Sequence, residues 1–394
     1  MRKNYIVITE SLTDGHPDKL CDQISDAVVD NFLIQDPNSR VRVQSAVSRS
    51  ILFIAARYQS QAVVDLSETA RKVIRGIGYD RKEFNASTCS ILTSSLEYQQ
   101  DDRYDFDERG MSDDDIEALA VKEQATVFGY ACDETPPLMP MPIYLAHRLA
   151  ARLAAVRREK ELPYLYPDGK VQVGVEYRER RPFRIHNLAV ITDHEDDMGD
   201  PDLLLRDIRT AVVDPVFAGV DVKPDADTRI FVNPNGRYLG GPAHHSGLTG
   251  RKTALDSYGE YHRNSGKGLS GKDPLRIDRI GAYAARYAAK NVVASGMASK
   301  CEVLVSYSIG LSQPASLEVE TFGTGARPDA EITDLVKAHF DFRLAGILRD
   351  FDLRRLPQKH QGKFYQRLAA YGHFGREDME VPWERVDKKD VLAG

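Results

Sequence analysis

Residues 41–77, VRVQSAVSRSILFIAARYQSQAVVDLSETARKVIRGI, switch from one hydrophobic period to another. Two neighbouring β-like runs at 41–47 and 51–56 are followed by apolar residues at helical spacing over 63–77. A period of about 2 is typical of a half-buried strand, and a period of about 3.6 is typical of an amphipathic helix. The stretch therefore predicts a strand pair followed by a covering helix.

The same succession recurs about three times along the chain. Further β-like runs lie at 5–9, 171–177, 185–192, 230–233, 302–309 and 316–322. Further helical stretches lie at 17–33, 143–160, 203–213, 278–295 and 332–348. This mixture favours an α+β fold in which each domain is a β-sheet covered by helices.

The composition narrows the function classes. The chain has 394 residues and a net charge of −6, and nucleic-acid binders usually carry a basic excess. No apolar run approaches the roughly 18 residues that cross a bilayer, and the start MRKNYIVITE does not resemble a signal peptide. The 4 cysteines form no CxxC pair, which is typical of packed thiols in a reducing compartment. We therefore predict a soluble, cytoplasmic protein without nucleic-acid or membrane partners.

The main concentration of cations lies at 240–278, GGPAHHSGLTGRKTALDSYGEYHRNSGKGLSGKDPLRID. Its basic residues, set among glycines, are Arg251, Lys252, Arg263, Lys267, Lys272 and Arg276. Glycine lets the backbone approach an anion while Arg and Lys neutralise its charge, so a triphosphate fits; a solvated basic loop is the alternative. The GxxxxGK match at 266–272 does not indicate a P-loop, because Asp273 replaces the Ser or Thr that binds Mg²⁺ and no apolar strand precedes it.

Three polar segments are further candidates. His16 and Asp18 flank Pro17 at a predicted helix start, which favours an anion or a metal-bound anion, with a structural cap as the alternative for His16. The segment 166–170, YPDGK, predicts an ordinary hairpin turn when taken alone. The acidic segment 99–117, QQDDRYDFDERGMSDDDIE, predicts a long mobile loop, which is either a lid or a surface insertion without a role.

Together these segments resemble the S-adenosylmethionine synthetases (methionine adenosyltransferases). The motifs that carry the resemblance run from about residue 8 to residue 383 in the family's order. They are GHPDKLCDQISDAVVD (15–30), FGYACDE (128–134), LMPMPIYLAHRL (138–149), PDGK (167–170), NPNGR (233–237), SGLTGRK (246–252), SGKDP (270–274), RIDRIGAYAARYAAKN (276–291), VSYSIG (305–310), VETFGT (319–324) and AAYGHFGRED (369–378).

The resemblance implies a pseudo-threefold α+β fold of three similar domains. We place them at 1–119, 120–239 and 240–394, with approximate boundaries and with interleaving allowed. It also implies a homodimer or homotetramer whose active site lies at the dimer interface. The mobile-loop prediction for 99–117 agrees with a mobile loop of the family, although this sequence is more acidic.

The resemblance also implies a reaction in which the methionine sulfur attacks C5′ of ATP and the leaving tripolyphosphate is then hydrolysed. The residues at catalytic positions are His16, Lys170, Arg251 and Lys272. Those at nucleotide positions are Asp168, Arg237, Tyr238, Lys252 and Gly268. Those at metal positions are Asp18 and Asp278 for two expected Mg²⁺ ions and Gln44 for K⁺, whose requirement stays open. A thioether has no proton to lose, so this displacement needs alignment and stabilisation of negative charge rather than a base.

The amino-acid end of the site departs from the family. Arg57 replaces a Glu that helps hold methionine, His245 replaces an Asp, and Arg276 replaces a Lys. Glu123 stands for an Asp in a turn that lacks its two glycines, and Gln99 competes with Tyr98 for the position of a Gln. Loss of a carboxylate beside an ammonium group removes a bond worth roughly 1.5–3 kcal/mol. Three hypotheses follow: methionine is still the acceptor, a methionine-like thioether is the acceptor, or the chain is a non-catalytic regulatory paralogue.

Overall fold

The computed structural model describes residues 3–98, 105–196 and 202–393. In these ranges the strands are β1 Tyr5–Leu12, β2 Arg40–Ser48, β3 Ile51–Gln59, β4 Asp80–Arg81, β5 Phe84–Asn85, β6 Ser90–Glu97, β7 Ala125–Cys132, β8 Leu165–Arg178, β9 Arg181–His194, β10 Arg229–Val232, β11 Gly247–Leu248, β12 Lys300–Tyr307 and β13 Ser316–Glu320. The α-helices there are α1 Pro17–Gln35, α2 Leu66–Ile77, α3 Asp113–Ala118, α4 Met141–Arg158, α5 Leu203–Ile208, α6 Asp214–Phe217, α7 Thr253–Asp256, α8 Ile277–Ala294, α9 Asp329–His339, α10 Leu344–Phe351, α11 Leu356–Lys359, α12 Phe364–Leu368 and α13 Lys389–Ala393.

Each of the three larger sheets takes one strand from a distant part of the chain. The strand orders are β1-β8-β9-β10, β11-β2-β3-β6 and β13-β12-β7. Strand β1 pairs antiparallel with β8, β7 pairs antiparallel with β12, and β11 pairs antiparallel with β2. The α+β prediction is confirmed. The predicted segments 1–119, 120–239 and 240–394 exchange strands, so their linear boundaries do not separate the sheets.

Helices α1, α4 and α8 build the core between the sheets. Helix α4 packs on β8 and β1, and the apolar side chains of these elements form one core cluster. Helices α1 and α8 belong to a second cluster that joins the β2-β3-β6 and β12-β7 layers. A Cβ at Gly129 of β7 would lie 2.0 Å from the Ala285 carbonyl carbon, so only glycine lets β7 lie this close to α8.

Four aspartates on α1 hold the backbone of surrounding loops. Asp18, Asp22, Asp26 and Asp30 recur every four residues, which places their side chains on one face of the helix. The backbone N–H groups that they accept belong to Leu248 (3.0 Å), Gly250 (2.7 Å), Gly271 (2.8 Å), Tyr365 (3.0 Å) and Gln366 (2.9 Å). Helix α1 thus fixes two glycine-rich loops, around 247–252 and 266–272, and the start of α12.

Two local predictions are wrong. The helix predicted over 332–348 is two helices, because α9 ends at His339 and α10 begins at Leu344. The side chains of Phe340 and Phe342, which lie between the two helices, are buried. The apolar sequence pattern therefore continues where the helix does not. Residues 167–170 are not a hairpin turn. They belong to β8. Thr13, the residue after β1, forms hydrogen bonds with Pro167 and Gly169 and so extends the pairing of β1 with β8.

The acidic segment has more structure than its composition predicts. Residues Glu108–Gly110 form a 3₁₀ turn, and α3 follows after a capping box at Ser112. Glu108 is fully buried beside Arg354 and 2.9 Å from Arg355, while Ile116 is also buried. The second half of the segment is therefore folded and packed rather than an extended loop. Residues 99–104 lie outside the described residues, and mobility of the loop stays a prediction.

Two further sequence expectations concern thiols and membranes. Cys21, Cys89, Cys132 and Cys301 are free and buried, as expected for packed thiols. Of the helices in the described ranges, none combines the length and the apolar character needed to span a bilayer.

Candidate active site

The first group of predicted residues surrounds the N-terminus of α1. This His16 cluster consists of His16, Asp18, Asp168, Lys170, Tyr238, Arg251 and Lys252. His16 is the N-cap residue of α1, and its Nδ1 accepts the backbone N–H of Asp18 at 3.2 Å. Because Nδ1 accepts, the proton of a neutral ring is on Nε2. Burial and the charges of Lys170 and Lys252 lower the pKa of His16 to about 2. His16 is therefore a neutral imidazole with an N–H donor on Nε2.

Asp168 is a buried carboxylate with one fixed and one free oxygen. Its Oδ2 accepts the Gly241 backbone N–H at 2.7 Å and the Tyr238 hydroxyl at 3.2 Å. Its Oδ1 is buried and has no hydrogen-bond partner among the described residues. Burial raises the pKa of Asp168 to about 6, against the opposing effects of the Gly241 N–H and of Lys170. The free oxygen can accept a hydrogen bond from a ligand.

Two cations of this cluster are open to an anion. Lys170 forms no ion pair within the part of the chain that the structure describes, and its Nζ lies 5.4 Å from the centroid of the Tyr238 ring. The Arg251 side chain is 57% exposed, and its guanidinium approaches Asp18 only to 3.8 Å. Lys252 differs because its Nζ is bound to Glu10 at 2.9 Å.

The second group lies around a cavity of about 530 Å³. This Lys272 cluster consists of Gln44, Glu123, Gly268, Lys272, Arg276 and Asp278, all of which line the cavity except Arg276. Lys272 Nζ lies 2.5 Å from Asp278 Oδ2, and Arg276 binds Glu123 at 2.5 Å. Burial lowers the pKa of Lys272. Asp278 Oδ1 is buried without a partner among the described residues, so this carboxylate retains one free acceptor.

The loop 247–252 runs between the two clusters. The Leu248 N–H binds Asp18 of the His16 cluster, whereas Thr249 and Gly250 line the cavity of the Lys272 cluster. A Cβ at Gly268 would lie 2.5 Å from the Gly250 Cα, so the two glycine-rich loops touch through their backbones. In the described ranges, no side-chain hydrogen bond or ion pair joins one cluster to the other. The residues predicted for one active site are thus divided between two clusters, which we call the half-sites.

The residues predicted for the amino-acid end are divided between the half-sites. Arg57 of β3 is exposed and lies directly opposite Arg42 of β2, which lines the Lys272 cavity. His245 stacks on Tyr238 in the His16 cluster, with ring centroids 5.4 Å apart. Arg237 points to the exposed Asp196, with which it forms an ion pair. Gln99 lies outside the described residues.

Sequence reasoning missed a buried charge network under the His16 cluster. Lys19 Nζ lies 2.8 Å from Asp22 and 2.5 Å from Asp256, and all three side chains are buried. Burial raises the pKa of Asp256 to about 7. The network ties α1 to the loop that carries Arg251 and Lys252. The four-residue spacing of the aspartates on α1 is the sequence feature from which part of this network could have been predicted.

The residues present suit Mg²⁺ only in combination with a phosphate ligand. Within the described ranges, no three His, Cys, Asp or Glu side chains converge on one point. Mg²⁺ is commonly held by one or two carboxylates together with phosphate oxygens and water. Asp18 and the half-free Asp278 are compatible with that arrangement, and Gln44 offers a neutral amide oxygen to a monovalent ion.

Comparisons with known proteins cover nearly the whole chain. Sequence models of three domains match it: S-adenosylmethionine synthetase, N-terminal domain over residues 4–100, central domain over 118–238 and C-terminal domain over 239–385. The S-adenosylmethionine synthase of Synechococcus sp. (strain JA-2-3B'a(2-13)) is 48% identical, and the match covers 98% of this chain and 96% of that protein. The S-adenosylmethionine synthase of Microcystis aeruginosa (strain NIES-843 / IAM M-2473) is 46% identical, and the match covers 100% of this chain and 98% of that protein. The chain therefore belongs to the S-adenosylmethionine synthetase family.

Proposed function

We infer that this chain is a methionine adenosyltransferase that forms S-adenosylmethionine from ATP and L-methionine. The family match and the full-length relatives named S-adenosylmethionine synthase support this activity. The structural observation that carries it is the pair of cationic half-sites, each with a buried carboxylate that keeps one free oxygen. No comparison favours a different acceptor or a loss of catalysis.

The proposed reaction is one displacement at C5′ of the ribose. The methionine sulfur donates a lone pair to C5′, the bond from C5′ to the phosphate oxygen breaks, and that oxygen leaves with the electron pair. Water then cleaves the tripolyphosphate to pyrophosphate and phosphate. The protein has to align sulfur, carbon and leaving oxygen and to stabilise the charge that develops on the oxygen.

His16 acts in this reaction as a neutral hydrogen-bond donor to the leaving oxygen. Its pKa of about 2 rules out a protonated ring at neutral pH, and the Asp18 N–H occupies Nδ1. The donor on Nε2 strengthens its hydrogen bond as negative charge builds on the leaving oxygen. Lys170 and Arg251 add positive charge in the same half-site.

The phosphate chain extends toward the residues of the second half-site. Lys272 supplies positive charge, and Asp278 with Asp18 would hold Mg²⁺, which neutralises phosphate charge when it is bound. Asp168 and Tyr238 hold the nucleoside end through the free Asp168 oxygen and the aromatic ring. These residue roles are proposals that rest on the geometry of the clusters.

The acceptor end rests on the Arg276–Glu123 pair. Glu123, which lines the cavity, provides a carboxylate for the methionine ammonium group, and Arg276 fixes that carboxylate at 2.5 Å from outside the cavity. Glu123 thereby compensates for the carboxylate missing at Arg57. The exposed Arg57 lies beside Arg42 at the rim of the same cavity.

A second copy of the chain completes the site in this proposal. The outward face of β3 and β6 presents Ile51, Phe53, Leu92 and Leu96 to solvent at 42–56% exposure, and Phe53 pairs with Leu92 across the strands. The outward face of β1, β9 and β10 exposes Ile6, Ile8, Phe183 and Phe231. Apolar faces of this kind mark protein interfaces. Packing them against another copy would bring the His16 cluster of one chain to the Lys272 cluster of the other, in a homodimer or a homotetramer.

Incubation of the protein with ATP, Mg²⁺, K⁺ and a panel of thioethers tests the proposal. Mass spectrometry detects the sulfonium product, and a separate assay follows pyrophosphate. We expect S-adenosylmethionine from methionine. A product formed only from an analogue would assign a different acceptor, and the absence of product with every thioether would make the chain a non-catalytic relative. Omitting K⁺ tests whether Gln44 supports a K⁺-dependent reaction.

A further inference from the structure

A second cavity, of about 390 Å³, lies between α4, the turn that precedes α1 and residues 366–378. We call it the α4 cavity. Its apolar wall is formed by Met139, Tyr144, Ala151, Ala370, Tyr371 and Phe374. No residue of the His16 cluster or the Lys272 cluster lines it. Its volume and its mainly apolar wall are typical of sites for small organic ligands.

The α4 cavity has one positive charge in excess, because four arginines and three acidic residues line it. Two of the arginines are paired closely: Arg376 binds Asp378 at 2.7 Å, and Arg158 binds Asp14 at 3.3 Å. His147 adds no charge because burial lowers its pKa to about 3. A ligand with one negative charge would balance this lining.

Arg148 is the cation that can receive that charge. Within the part of the chain that the structure describes, it forms no ion pair. Its NH1 donates to the Tyr144 hydroxyl at 3.3 Å, and its guanidinium lies 5.4 Å from the centroid of the same ring. Among the described residues, four of its five N–H donors have no partner, and a guanidinium binds a carboxylate with two parallel hydrogen bonds.

Asp14 offers the complementary group. It is 6% exposed and lines the α4 cavity, and its Oδ1 makes no close hydrogen bond among the described residues, although the Tyr371 hydroxyl lies beside the same carboxylate. The other oxygen is held by Arg158. A buried carboxylate oxygen without a close donor is costly, so a ligand that brings an N–H or O–H group to Oδ1 would stabilise it.

We propose that the α4 cavity is a second ligand site, which binds a small monocarboxylate that has an aromatic or apolar body and one hydrogen-bond donor. Arg148 binds the carboxylate, the apolar wall contacts the body, and Asp14 accepts the donor. The site is separate from the two half-sites.

A ligand in the α4 cavity would also contact the turn that carries His16. Asp14 and His16 belong to one turn, and Gln23, which lines the cavity, donates to the Asp14 carbonyl at 2.7 Å. A ligand that binds the Asp14 carboxylate therefore acts on the segment that sets the position of His16. This part of the inference rests on the proposed function, and we expect turnover to change when the cavity is filled.

The binding test uses 4-hydroxyphenylacetate as the probe, titrated by calorimetry into the full chain without ATP. A ligand of this size is expected to bind with millimolar affinity. The amide 4-hydroxyphenylacetamide, which lacks the charge, should bind the same protein about tenfold more weakly. Phenylacetate, which lacks the donor, should bind about threefold more weakly. Equal affinity for the acid and its amide, or no binding of the acid, would overturn the site.

Variants locate the probe. Arg148→Met should weaken binding of the acid about tenfold. Arg152→Met removes the same charge from the next turn of α4, where the guanidinium binds Ala211 and Glu161 outside the cavity, and should leave the affinity unchanged. An equal effect of both variants contradicts the assignment.

Turnover is then measured with and without the probe. Unchanged turnover despite binding would overturn the coupling to His16 alone, and absence of turnover without the probe would instead refute the proposed function.

Discussion

Asp168 has two oxygens in different surroundings, and this asymmetry makes its role testable. Asn can replace it with little rearrangement, because its amide oxygen can accept the Gly241 N–H while its amide nitrogen takes the place of the partnerless Oδ1. The pKa of about 6 means that ionising this carboxylate costs more free energy in the folded protein than in the unfolded chain. The stability that protonation provides is present at low pH and is lost as the pH rises through about 6.

We therefore expect Asp168→Asn to raise the free energy of unfolding near neutral pH, by on the order of 1–3 kcal/mol, and to lose this advantage progressively as the pH falls from about 6 to about 4. Nucleotide affinity should fall about tenfold, because the free acceptor becomes a donor. Denaturant unfolding at several pH values and calorimetry with a non-hydrolysable ATP analogue measure both effects. Asp193→Asn is the contrasting control. Asp193 is equally buried but binds Arg81 at 3.0 Å, so that variant should be less stable.

His16 provides a second residue-scale prediction. His16→Asn keeps a side chain that can cap α1, so the free energy of unfolding at neutral pH should change by less than about 1 kcal/mol. The turnover number should fall by about 10²-fold or more, because the donor to the leaving oxygen is lost. Steady-state kinetics and denaturant unfolding of the two proteins test this pair of expectations. A variant that is stable and fully active would exclude the proposed role of the ring.

The pH dependence of stability gives His16 a separate signature. The unfolded residue takes up a proton near pH 6.5, whereas the folded residue does so only near pH 2. The free energy of unfolding of the wild-type protein should therefore decrease as the pH falls below 6.5, and His16→Asn should remove part of that decrease. His16 also does not change its protonation near pH 6.5 in the folded protein. Any inflection of the turnover number at that pH should therefore persist in His16→Asn.

At the scale of elements, the acidic segment is held by a buried charge, Glu108, as well as by the apolar side chains of Phe106 and Ile116. Glu108→Gln leaves the guanidinium groups of Arg354 and Arg355 without their buried carboxylate, which typically costs about 3 kcal/mol. We expect faster hydrogen exchange over residues 105–118 and a lower free energy of unfolding. Asp107→Asn, which alters an exposed carboxylate that also contacts Arg355, should cost less than about 1 kcal/mol. Similar exchange in both variants would show that Glu108 is not the anchor.

Elements with strong periodicity could be predicted from the sequence, and those fixed by distant contacts could not. Helices α1, α4 and α8 lie within two residues of the predicted stretches 17–33, 143–160 and 278–295. Strand β6, SILTSSLE, was missed because its side chains are mostly small and exposed. The break before α10 was missed because Phe340 and Phe342 face the core across it.

The same distinction holds for the site. Lys272 and Asp278 are only six residues apart, so local chain geometry is enough to bring their side chains together. The assembly of His16 with Lys170 depends on the antiparallel pairing of β1 with β8, which joins residues more than 150 positions apart, Leu12 opposite Lys170 among them. Hydrophobic period reports local structure and contains no information about such a pairing. The resemblance to a known family, and not the hydrophobic pattern, is what predicted from the sequence that His16 and Lys170 belong to one site.

At the scale of the whole molecule, the proposed function assigns each active site one cluster from each of two chains. Lys170→Ala damages the His16 cluster, and Lys272→Ala damages the Lys272 cluster, so each variant alone should have very low turnover. A mixed dimer of the two variants has one site with both lesions and one site with neither. Random exchange makes half of the dimers mixed, so refolding the two variants together should restore about a quarter of the wild-type turnover.

The control is the same experiment with Phe53→Glu added to both variants. A charge in the centre of the exposed face of β3 and β6 should prevent pairing of the chains and abolish the restored turnover, while the circular dichroism of each chain stays unchanged. If the original pair of variants regained no turnover after mixed dimers had been demonstrated by mass spectrometry, both clusters would have to serve one site within a single chain. The loop 247–252 would then have to open, because it lies between Asp18 and the Lys272 cavity. Restored turnover would instead assign that loop a fixed role, in which α1 holds it through Asp18 and Asp22 as the wall between the two clusters of one chain.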